Sequence, residues 1–233
     1  MAHGTPDRPS VDVVIPARDA ASTLGAVLSA LPARRIRSIV VVDNGSRDGT
    51  AQVARDAGAV VLRESRVGYG AACLRALAHL EVLPRPPAVV VFFAADGSDD
   101  PADLATLLEP IERDNAELVI GVRQSEGRPR RGPRTRMALG LINTIYRHRF
   151  EDLGPLRAIR FAALVALGMS DRSDGWKVEM QIKAVKLGLH IAEVPVVCRT
   201  AGGDRRPGAR DVLDSARSTG RVLFRILRDA TAR

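Results

Sequence analysis

Lysine is nearly missing from this chain: of 35 basic residues only Lys177, Lys183 and Lys186 are lysine, so 35 − 3 = 32 are arginine. Aromatic residues make up 3% of the sequence, too few for the stacking platforms that hold single-stranded nucleic acid, and nucleic acid is set aside as a partner. The two cysteines, Cys73 and Cys198, sit in apolar helix and strand patterns and read as buried thiols in a reducing compartment, not as a disulfide framework. The histidines show no metal-ligand spacing. No apolar run approaches the ~18 residues of a membrane span, and the N-terminus is polar and proline-bearing, unlike a signal peptide. The expectation is a cytoplasmic protein that touches a membrane, if at all, peripherally from one side.

What is present is length and charge. A chain of 233 residues is long for one domain but ordinary for an α/β unit with a single core. Residues 1–9 read as a disordered leader, 10–200 as the domain, and 201–233 as a basic loop with a final helix. Formal net charge is +8. From Arg123 to Arg136 six arginines face one acid, Glu126, and from Arg199 onward nine face four acids. Two such segments suggest anionic partners, either phosphates or an anionic membrane surface. The final helix carries Leu213, Leu223 and Leu227 on one face and Arg217, Arg221 and Arg225 on another. Its apolar face either docks on the domain or lies on a membrane surface.

Apolar runs at 11–15, 39–42, 59–62, 89–93 and 118–120 alternate with helical patterns. That rhythm predicts right-handed crossovers and a mostly parallel sheet flanked by helices. Beyond Arg123 it predicts helices near 135–147, 161–167 and 176–187 and a last strand over 191–198, where Pro195 places the strand at an edge.

The fourth run is followed by Ala94-Ala95-Asp96-Gly97-Ser98-Asp99-Asp100-Pro101. The loop leaving the carboxyl end of a parallel strand is where open α/β sheets bind ligands. Asp96 and Ser98, two residues apart, suit a hard divalent cation that keeps most of its ligands as water and substrate oxygens. Asp99 and Asp100 read as caps for a helix with Pro101 in its first turn.

Three segments together resemble family 2 glycosyltransferases of the GT-A fold, in the branch similar to dolichol-phosphate mannose synthases and bacterial polyprenyl-phosphate glycosyltransferases. They are Val14 to Asp19, Val41 to Thr50, and Ala94 to Ser98. Leu118 to Arg123, Gly154 to Arg157, Glu179 and Glu193 to Val196 agree in order along the chain. The resemblance implies a nucleoside-diphosphate sugar donor, with Pro16, Ala17, Asp19, Asp43 and Asn44 along the nucleoside. It also implies Mg²⁺ or Mn²⁺ at Asp96 and Ser98, and Arg123, Arg157, Arg205 and Arg206 on phosphates. Two positions depart from the family pattern: Ala94 stands where an aspartate usually precedes Asp96, and Ala20 where a glutamate is usual.

The expected reaction is sugar transfer with inversion to a polyprenyl phosphate acceptor. Its alternatives are a soluble small-molecule acceptor, or a catalytically weak relative that binds nucleotide sugar. A phosphate acceptor is already ionised; a hydroxyl acceptor needs a base, for which Glu179 and Asp174 are the candidates. Arg157 either positions an acceptor phosphate or pairs with Glu151 or Asp152, and Trp176 either stacks on a sugar or anchors packing.

Overall fold

Strands with valine and isoleucine on both faces need cover on both faces, and helices supply it on each side of one eight-stranded sheet. A computed structural model describes residues 9–125, 128–129 and 133–199. Its strands are β1 (Val11–Ala17), β2 (Ser38–Asp43), β3 (Val60–Arg63), β4 (Val89–Phe92), β5 (Leu118–Ser125), β6 (Arg128–Pro129), β7 (Arg157–Arg160) and β8 (Ile191–Val197). The helices are α1 (Ala21–Ala30), α2 (Thr50–Asp56), α3 (Tyr69–Glu81), α4 (Leu104–Glu112), α5 (Pro133–Tyr146), α6 (Phe161–Ala166) and α7 (Trp176–Lys186). This is the GT-A arrangement expected. The expected final helix, and Arg205 and Arg206 in the basic loop before it, fall outside the described residues.

Strand order is β3-β2-β1-β4-β7-β5-β6, with β8 on β5. Alternate side chains enter two cores: Val14, Val90, Phe92 and Ile120 face α3, α5 and α7, whereas Val13, Ile15, Val91 and Phe93 face α1 and α4. β1, β2, β3 and β4 pair in parallel. β7 runs antiparallel between β4 and β5. No strand is predicted at Arg157–Arg160 from the sequence, because four residues bounded by arginines carry no long apolar run. β8 pairs only with β5 among the described residues, with Pro195 opposite Val122, so the expected edge position is met. Cys73 is buried as expected, but Cys198 lies just past β8 and is only half-buried. Trp176 is 1% exposed and meets Phe92 edge-on at 6.1 Å, which makes it a packing anchor.

Candidate functional site

Parallel strands deliver their carboxyl ends to one edge, and β7, running the other way, delivers its first residue there too. That edge therefore collects the residues after β1, β2 and β4, the end of β5, and Arg157. The loop after β1 and the turn after β2 are laced together. Asp19 donates its N–H to Ser46 Oγ (3.0 Å) and accepts from Arg47 N–H through Oδ1 (2.7 Å). Asp19 holds a left-handed φ of 48°, which aspartate tolerates better than most residues. Asp43, at the end of β2, accepts from Ser46 N–H (3.0 Å). Its other carboxylate oxygen has no hydrogen-bond partner among the described residues. Pro16 and Ala17 end β1 beside them.

Asn44, expected along the nucleoside, has its amide committed to the backbone instead. Its Nδ2 donates to Glu64 O (3.2 Å) and Arg66 O (2.8 Å), and its Oδ1 accepts from Gly68 N–H (2.8 Å). It tethers the segment that leads into α3.

After β4, Asp96 is exposed, and one of its oxygens closes a tight turn by accepting from Ser98 N–H (2.9 Å). The second oxygen and the Ser98 hydroxyl have no hydrogen-bond partner among the described residues. Asp100 caps the 3₁₀ turn Pro101–Asp103 by accepting from Ala102 N–H (3.0 Å), as expected. Asp99 does not cap. It is 3% exposed and turns back under the loop, accepting from Ala94 N–H (2.9 Å). Burial pushes its carboxyl up to about 6; the Ala94 N–H pulls it down, Asp96 pushes it further up, and Arg123 and Lys177 pull it down. These couplings put Asp99 within electrostatic reach of the cationic half of the edge. Its burial is invisible in a sequence that reads Asp-Asp-Pro.

The cationic half is built from Arg123, Arg157 and Lys177. Arg123, at the end of β5, grips Asp152 through Nε and Nη2, both at 2.8 Å. Burial alone would raise the Asp152 carboxyl, but the two hydrogen bonds and the charge of Arg123 more than offset this, and it lies below its ordinary value. Arg157 is 1% exposed and pairs with neither Glu151 nor Asp152. Its Nε donates to Gly154 O (2.9 Å), its Nη1 to Lys177 O (2.7 Å), and its Nη2 finds no partner among the described residues. Burial lowers the guanidinium to about 10, with Tyr69 and Asp152 acting the other way.

Since Asp152 is held below the unfolded carboxyl value of about 3.9, its contribution to stability is present above that pH. It is lost as pH falls through the lower folded value. Asp152→Asn should lower stability by about 3 kcal/mol at pH 7, because it strands Arg123. Urea unfolding at pH 7 and pH 3 checks this: the gap to wild type should narrow at pH 3, and a gap that stays constant would disprove it.

Glu179, expected as a candidate base, is fully buried and organises a loop. Its carboxylate accepts from Ser170 N–H and Oγ and from Asp171 N–H (2.7 Å), and meets Lys183 at 2.9 Å. Burial opposes ionisation, but these partners outweigh it and hold the carboxyl below its usual range. Lys183 stands four residues after Glu179, and the ordinary helix-face pair that this spacing allows is formed. Asp174 is exposed on the same loop and lies within electrostatic reach of Lys177.

A mostly parallel sheet with one antiparallel insert, and an edge carrying free carboxylate oxygens beside a buried guanidinium and two half-buried cations, defines a nucleotide-sugar transferase of the GT-A class. The chain belongs to glycosyl transferase family 2, whose profile matches residues 12–168. It is accordingly a nucleotide-sugar-dependent glycosyltransferase. An uncharacterized glycosyltransferase of Mycobacterium tuberculosis is 35% identical over 210 residues, which cover 86% of this chain and 91% of that one. The undecaprenyl-phosphate mannosyltransferase of Micrococcus luteus is 31% identical over 195 residues, 75% of each chain. The fold is similar to that of glucosyl-3-phosphoglycerate synthase from Mycobacterium tuberculosis, solved with Mn²⁺, uridine diphosphate and glucosyl-3-phosphoglycerate. That match has a TM-score of 0.79 and 23% identity, and covers 96% of this chain and 80% of the synthase.

Proposed function

We propose that this glycosyltransferase moves a hexose from a nucleoside-diphosphate sugar to a polyprenyl phosphate, with inversion at the sugar carbon. The observation that carries the reading is the meeting, at one sheet edge, of carboxylates with free oxygens and a buried guanidinium that no carboxylate hydrogen-bonds among the described residues. The lipid acceptor draws its support from the mannosyltransferase of Micrococcus luteus. A soluble phosphorylated acceptor is the second reading, favoured by the likeness to glucosyl-3-phosphoglycerate synthase over 96% of this chain.

In this scheme Pro16, Ala17 and Asp19 line the base and ribose, and the free oxygen of Asp43 accepts from the nucleoside. Among the described residues no three metal-ligating side chains cluster, so a cation needs the diphosphate to complete its shell. One free oxygen on Asp96 and the Ser98 hydroxyl fit that requirement for Mg²⁺ or Mn²⁺. Bound there, the metal supplies positive charge to the departing diphosphate. Arg205 and Arg206 are assigned to the same phosphates, joined by the Arg123 nitrogen that Asp152 leaves free. An ionised acceptor oxygen attacks the anomeric carbon from the face opposite the diphosphate, the carbon–oxygen bond to the diphosphate breaks, and the leaving group departs with the electron pair. No proton moves if the acceptor is a phosphate. With a hydroxyl acceptor, Asp174, exposed on its loop, is the candidate base.

Incubating the protein with labelled nucleotide sugars, Mn²⁺ and polyprenyl phosphate should yield a labelled glycolipid. A nucleoside diphosphate with Mn²⁺ at about 100 times its dissociation constant should add about 2.7 kcal/mol of stability. Absence of both product and stabilisation would overturn the reading.

A further inference from the structure

We propose that Lys177 is the second cation of the seat built on Arg157, and that this pair selects acceptors bearing a phosphate monoester, whether on a lipid or on a soluble molecule. The proposal rests on the transferase reading above and adds the residue that decides which acceptors are taken.

Lys177 is the second residue of α7, and its main-chain carbonyl receives Arg157 Nη1 at 2.7 Å. One residue therefore fixes the guanidinium through its backbone and places an ammonium beside it through its side chain. The ammonium stands 5.0 Å from the centre of the Tyr69 ring, and no hydrogen bond or ion pair to it occurs among the described residues. A ring face attracts a cation without neutralising it. Burial lowers the Lys177 pKa, Asp174 acts against this, and Arg157 and Arg123 lower it further.

Neighbouring cations are handled differently. Arg123 has Asp152, and Lys183 has Glu179. Among the described residues Arg157 hydrogen-bonds only carbonyls and keeps one donor without a partner, in a fully buried position. Leaving a buried charge uncompensated is costly, and a donor with no partner forfeits a hydrogen bond. A fork of guanidinium N–H groups with an ammonium alongside matches a dianionic phosphate, which has three acceptor oxygens and no bulk on them. Asp99, across the edge, is coupled electrostatically to Lys177, and it already accepts from Ala94. A phosphate on Lys177 and Arg157 would also lie on the cationic side of the edge, apart from the carboxylates assigned to the metal and nucleoside.

The test uses the full chain as wild type, Lys177→Met and Lys177→Arg. Titration calorimetry measures binding of a short-chain prenyl phosphate, of glycerol 3-phosphate, and of their dephosphorylated forms; thermal shift with uridine diphosphate and Mn²⁺ measures the donor site. Lys177→Met should weaken binding of whichever phosphate monoester the wild type takes by about tenfold or more. It should leave the nucleotide shift unchanged, and Lys177→Arg should restore binding. Preference for the prenyl phosphate assigns a lipid source, and comparable binding of both assigns recognition to the phosphate alone. Equal loss of nucleotide and phosphate binding in Lys177→Met would place the cation at the donor and overturn the proposal, as would wild-type affinity in that variant or no phosphate binding by wild type. If phosphate binds while nucleotide does not, the seat stands and the transferase reading fails.

Discussion

Gly70→Ala should cost this protein about 3 kcal/mol or more, because the added methyl has nowhere to go. A Cβ at Gly70 would stand 2.2 Å from Asp171 O and 2.9 Å from Arg172 C, both backbone atoms. The contact is close because the loop caps α3: Gly70 N–H donates to Ser173 O (3.1 Å) and Ala71 N–H to Arg172 O (3.0 Å). Glu179 holds that loop from behind through Ser170 and Asp171. Neither partner can retreat without losing hydrogen bonds to buried groups. Tyr69 and Lys177 flank the junction, so phosphate binding should fall along with stability. Gly140→Ala supplies the comparison. It lies inside α5, exposed, with nothing within 4 Å of an added Cβ, and should stabilise by about 0.5–1 kcal/mol. Urea midpoints of the two variants check both signs, and a Gly70→Ala midpoint equal to wild type would show that the loop yields freely.

Asp96→Asn should abolish most transfer while leaving the fold intact. The side chain is exposed, and an asparagine oxygen can still accept from Ser98 N–H, so unliganded stability should stay within about 0.5 kcal/mol of wild type. What is lost is the charge at the proposed metal position. With Ala94 in place of a second carboxylate, little else on the loop can replace it, and turnover should fall about 10²–10³-fold. The stabilisation by nucleoside diphosphate that depends on Mn²⁺ should disappear with it. A variant that transfers at the wild-type rate would remove Asp96 from the chemistry and return attention to Asp99.

The two substitutions probe different kinds of information. Asp96 is legible in one dimension, since an apolar strand run followed by a carboxylate, glycine and serine marks a sheet edge. The same holds for Asp43 after β2 and for the prolines and glycines bounding the elements. The function of Gly70 cannot be read so, because its neighbour is a loop about a hundred residues further on. Glu179 was ambiguous for the same reason: spacing showed Lys183, but not the three donors of Ser170 and Asp171.

By itself the sequence determined the alternation of strands and helices, the edge at which they converge, and the carboxylates placed there, because periodicity and local turn chemistry act between near neighbours. Only the tertiary structure decided the pairing of charges. It put Arg123 on Asp152, buried Asp99 beneath its own loop, inserted β7 between β4 and β5, and left Arg157 beside Lys177 with no carboxylate hydrogen-bonded to it among the described residues. Those outcomes depend on which distant backbone segments share a small buried volume, where an ionic group must find a partner, wait for a ligand, or shift its proton affinity.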